Sequence, residues 1–108
     1  MPFALTDRVQ IARAVAARLG VDSEIFASYA VQIFHGKRVM LSPDLPEAER
    51  LRLTRLLAGA RYLETALSKQ SLNRPSIPDS LVNSLASGVG KAIRRDPVAE
   101  ARFLKAQR

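Results

Sequence analysis

Apolar residues recur at helical spacing along most of this chain, and short polar or turn-forming stretches separate the runs. Val9, Ile11, Ala12, Val15, Ala16 and Leu19 fall on one side of a helix predicted over about 6–19, with Arg8, Gln10 and Arg18 outside. Thr6 has the side chain of an N-cap, Asp7 suits a first turn, and Gly20 supplies the stop. Ile25, Phe26, Tyr29, Ala30, Ile33 and Phe34 make the broad stripe of a second helix, Ser23 to His35, which ends at Gly36. The prolines of KRVMLSPDLP break the period, so the chain runs extended to the next helix.

That helix is the longest, over about 45–70. Asp44 and Glu47 have the D-x-x-E spacing of a capping box, and Pro46 falls in the tolerant first turn. Leu53, Leu56, Leu57, Ala60, Leu63 and Leu67 form its stripe, with Gly59 either a weak point or a place of close packing. SLNRPSIP, 71–78, is a turn-rich linker. Beyond it Leu81, Val82, Leu85, Ala86, Val89 and Ile93 repeat the helical period across Gly88 and Gly90, which weaken that helix. Asp96 followed by Pro97 opens a short last helix through Phe103 and Leu104. No segment alternates with a strand's period and no repeat occurs. The expected fold is all-α: one domain over 1–108, a compact bundle of about five helices. It has a helix-turn-helix-like hairpin at 6–36, a long central helix and a C-terminal helical segment at 79–108.

At 108 residues the chain suits one core, and its 47% hydrophobic and 25% charged residues are the balance of a globular protein. There is no cysteine, hence no disulfide, thiolate site or cysteine nucleophile, and a reducing cytoplasm is the expected compartment. MPFALTDR lacks the basic start and apolar run of a secretory signal, and no apolar run approaches the roughly 18 residues that span a bilayer. Charge changes the picture most. With 17 Lys+Arg against 10 Asp+Glu the formal net charge is +7, which favours nucleic acid or another anionic partner. A solvated Arg-rich surface gives the same count.

RAVAARLGVDSEIFASY, Arg13 to Tyr29, places a small residue (Ala16), an apolar anchor (Leu19), a turn glycine (Gly20) and a second apolar anchor (Val21) at the spacing of two helices braced across a tight turn. Through Ala16, Leu19, Gly20, Val21, Phe26 and Tyr29 it resembles the general helix-turn-helix superfamily over residues about 8–35. The resemblance implies duplex-DNA binding. Carried over by position, the exposed residues of the second helix are Ser23, Glu24, Ala27, Ser28 and Gln32, with Ser23, Ser28 and Gln32 the base-reading candidates. Between Val21 and Gly36 there is no Lys or Arg, and Asp22 and Glu24 sit near the helix start. Phosphate contact would therefore fall to flanking residues: Arg8, Arg13, Arg18, Lys37 and Arg38. Plain packing of a helical hairpin satisfies the same pattern.

Two further basic surfaces stand out. On the long helix Arg52, Arg55, Tyr62 and Lys69 share a face, with Arg50 and Arg61 beside it. Arg52 and Arg55 join the phosphate-contact candidates, although Glu47, Glu49 and Glu64 also fit an ordinary solvated face. The C-terminal KAIRRDPVAEARFLKAQR is amphipathic, and Arg94, Arg95, Arg102, Phe103 and Leu104 are candidates for partner docking or for closing the bundle.

Catalytic chemistry is poorly served. His35 is the only histidine and sits where a helix end needs its carbonyls capped; SGVGK, Ser87 to Lys91, lacks the glycine, hydroxyl residue and strand of a phosphate loop. No enzyme activity, metal, cofactor or small-molecule substrate is expected. The expected function is a small DNA-binding protein in transcription regulation or DNA organisation, with a phage-type packaging recognition subunit as a variant. A homodimer would form through the Leu53–Leu67 stripe. The competing expectation is a helical adaptor binding an acidic protein through the long helix or the C-terminal segment.

Overall fold

The computed structural model describes residues 5–69 and 77–94, and these form four helices with no strand among them. They are α1 (Leu5–Leu19), α2 (Ser23–Phe34), α3 (Glu47–Ser68) and α4 (Asp79–Ile93). The predicted linker residues 71–76 and the short helix begun by Asp96 lie outside the described residues, as do Arg95, Arg102, Phe103 and Leu104. No helix among the described residues is long and apolar enough to cross a membrane.

Helix ends explain the boundaries. At Gly20 the backbone turns left-handed (φ 70°), and the Val21 and Gly20 N–H groups donate back to the Ala16 and Ala17 carbonyls at 3.2 and 3.3 Å. This double closure satisfies carbonyls that the end of α1 would leave orphaned. Gly36 (φ 76°) ends α2 identically, with Lys37 N–H on Gln32 O and Gly36 N–H on Ile33 O. His35 caps α2 as expected of its position, but through its backbone N–H on Val31 O at 3.1 Å.

Two expected caps fail. Thr6 lies inside α1 instead of preceding it. The Asp44–Glu47 box does not form: Pro46 is the N-cap of α3, with no side-chain cap, and sits one position before the helix. The cause is the turn at Ser42, whose hydroxyl accepts the Asp44 N–H at 3.3 Å and whose carbonyl accepts the Leu45 N–H at 3.4 Å, holding this stretch off the helical path.

Each helix packs against its neighbour in the chain, and α4 returns to pack against α1, so the four enclose one core. Ile11, Val15, Phe26, Leu63, Leu67 and Val89 are its largest fully buried side chains, each contributing about 1.5–3 kcal/mol by leaving water. The predicted stripes of α1, α3 and α4 supply most of the rest. Ala27, expected on the exposed side of α2, is buried, because α2 is gripped from both sides by α1 and α3. The Leu53–Leu67 stripe is buried within this one chain, covered by α2 and α4, so it is not a self-association surface. Gly88 and Gly90 do not break α4, which runs through both.

Candidate nucleic-acid interface

The three-residue turn Gly20 to Asp22 brings α2 against α1 and opens a groove of about 460 Å³ between them. Arg13 on α1 and Ser28 and Gln32 on α2 line it, with Glu24, over a floor of Val9, Ala27 and Val31. Two of the base-reading candidates and one phosphate candidate thus share a surface. Ser28 and Gln32 are one turn apart, and the Gln32 amide donates to the Ser28 carbonyl and hydroxyl at 3.4 Å, long contacts that a better acceptor would displace. Ser23, half-buried at the first position of α2, does not line the groove. Val31 was missed from sequence, and Val9, read there as part of the apolar stripe of the first helix, also lines the groove one turn before Arg13.

The cations divide by side. The Arg8 guanidinium sits over the Phe34 ring, 5.4 Å from its centroid, which ties the start of α1 to the end of α2. Lys37 and Arg38 are exposed just beyond that same end of α2. Arg18 leaves this surface: its Nε donates to Asn83 Oδ1 at 2.6 Å and its Nη2 lies 3.6 Å from Asp79, so it joins α1 to α4. Arg52 belongs to α3, where it pairs with Glu49. That hydrogen bond holds the Glu49 carboxyl below its ordinary range and raises the guanidinium in turn. Arg55 is exposed further along α3 and makes no ion pair among the described residues. Arg94 is exposed at the end of α4, remote in sequence from the groove residues.

Carboxylates occupy the opposite end of α2. Asp22 Oδ1 accepts from the Glu24 and Ile25 N–H groups, both at 3.0 Å, so the helix N-terminus already has its anion. Glu24 and Glu49 flank Ile25, Tyr29 and Leu53 at the edge between α2 and α3. Burial pushes the Tyr29 phenol above its ordinary pKa; Arg52 opposes the rise and Glu49 adds to it. Electrostatically, α2 runs from an acidic N-terminus to a basic C-terminal end.

The groove can therefore offer a cation, hydroxyl and amide donors and acceptors, and one carboxylate acceptor above an apolar floor. That is the vocabulary of base edges and phosphates. Among the described residues no group of three or more His, Cys, Asp or Glu side chains is placed to hold a metal. No protein-family model, curated protein or solved structure matches the chain.

Proposed function

We propose that this chain is a small DNA-binding protein that meets duplex DNA with the face shared by α1 and α2. The gathering of Arg13, Ser28 and Gln32 around one groove carries the proposal. Arg13, Lys37 and Arg38 contact phosphates, and Ser28 and Gln32 reach base edges. The polarity of α2 sets the docking. Its N-terminus, filled by Asp22 and bordered by Glu24, is repelled by phosphate, so the duplex lies over Arg13, Ser28 and Gln32 and toward the Lys37–Arg38 end of α2. Regulation of transcription, organisation of DNA and recognition of DNA for packaging are the roles such a protein serves.

A mobility-shift titration on mixed-sequence duplex tests the proposal. Retardation at micromolar protein in low salt is expected, and Arg13→Glu combined with Lys37→Glu should abolish it. Arg18→Glu should leave binding close to wild type, because that side chain faces α4. No shift in low salt, or equal sensitivity to all three charge reversals, would discard this surface. The competing function, a helical adaptor for an acidic protein, predicts co-purification of such a partner and no shift.

A further inference from the structure

A second groove, of about 500 Å³, lies on the other side of the molecule between α3 and α4. Tyr62 lines it from α3, and Ser84, Ser87, Gly88, Lys91 and Ala92 line it from α4. Gly88 makes room for Tyr62 here. A Cβ on Gly88 would overlap the phenol at Oη, Cζ and Cε1, so glycine at 88 is what lets the ring lie across α4. The ring is nevertheless 42% exposed, one of the few large apolar groups on the described surface.

The surroundings are basic. Arg55, on the same face of α3, and Lys69, the C-cap that follows the helix, stand seven residues before and after Tyr62, and both are exposed. From position 55 to position 69 is about 21 Å at the helical rise. Lys91 faces the same groove, and no carboxylate among the described residues lines it. A half-exposed ring flanked by cations and hydroxyls matches a chain of stacking bases joined by phosphates. A duplex keeps its bases stacked inside and cannot use the ring, while an acidic peptide uses the cations alone.

We propose that the α3–α4 groove binds single-stranded nucleic acid, with one base stacked on Tyr62 and the backbone tracked by Lys91, Arg55 and Lys69. The site is separate from the α1–α2 face and stands whether or not duplex DNA binds there.

Fluorescence anisotropy of the full chain with labelled oligo(dT), oligo(U) and poly-glutamate provides the test. Saturable binding of at least one oligonucleotide in low salt is expected, and whichever of the two binds more tightly identifies DNA or RNA as the source. Tyr62→Ala should weaken it about tenfold or more, and Tyr62→Trp should restore it. Gly88→Ala is the more telling variant. It keeps the tyrosine and favours helix, yet should weaken binding severalfold by evicting the ring, with circular dichroism showing the helices intact. Lys91→Glu should weaken binding too, while the Arg13→Glu, Lys37→Glu double variant should stay within about twofold of wild type. Absence of binding to both oligonucleotides overturns the proposal. Poly-glutamate binding as tightly as the oligonucleotides also overturns it, as does a folded Tyr62→Ala protein that binds like wild type.

Discussion

Gly20 and Asp22 make the α1–α2 turn by different means, and their substitutions separate the two. At Gly20 a Cβ would meet nothing within 4 Å, so Gly20→Ala isolates the cost of holding an L-residue at φ 70°, about 1–2 kcal/mol. Asp22→Ala removes the acceptor of two amide hydrogens and should cost about 1 kcal/mol. Urea unfolding followed by circular dichroism should show both midpoints falling with little change in slope; a neutral Gly20→Ala would mean the left-handed turn is not kept in solution. Gly20 and Gly36 were legible as stops because a glycine closing an apolar stripe has few other uses. Caps were less so. Thr6 and Asp44 have capping side chains, as does Asp22, but a cap also depends on where the backbone leaves the helix, and at Asp44 the preceding Ser42 turn decides that.

At the scale of elements, the apolar stripes of α1, α3 and α4 were readable because a 3.6-residue period needs only local sequence. What covers a stripe was not. Leu53 to Leu67 has the same pattern whether a second copy or its own chain packs on it, and here α2 and α4 do so. The glycines were ambiguous for a related reason, since a weak point and a close approach differ only in what lies opposite. Opposite Gly59 lie Val89 and Ile93: a Cβ there would stand 2.8 Å from Ile93 Cγ1 and 3.1 Å from Val89 Cγ1. Gly59→Leu should therefore force α3 and α4 apart and destabilise the fold by about 1–3 kcal/mol, despite leucine's better helix propensity. A thermal midpoint at or above wild type would mean that the two helices are not this close. Tyr62 over Gly88 belongs to the same class, being a pairing of distant residues that no local pattern announces.

At the scale of the whole molecule, charge is unevenly spread among the described residues: Arg13, Lys37 and Arg38 on or beside the α1–α2 face, Arg55, Lys69 and Lys91 around the α3–α4 groove, and Glu24 and Glu49 at the α2–α3 edge. Composition predicted attraction to an anion but not this partition, which depends on how the helices face one another. The salt dependence of binding measures the partition. Three phosphate contacts on duplex DNA should give a slope of log K against log salt of about −2.7, and three on a single strand about −2.1. Arg13→Ala should make the duplex slope shallower by about 1 and leave the single-strand slope alone, and Lys91→Ala should do the reverse. If one substitution flattens both slopes, the two ligands share a surface. A duplex slope near −5 would mean instead that one duplex engages both basic regions together, with the carboxylates between them unable to keep it to one side.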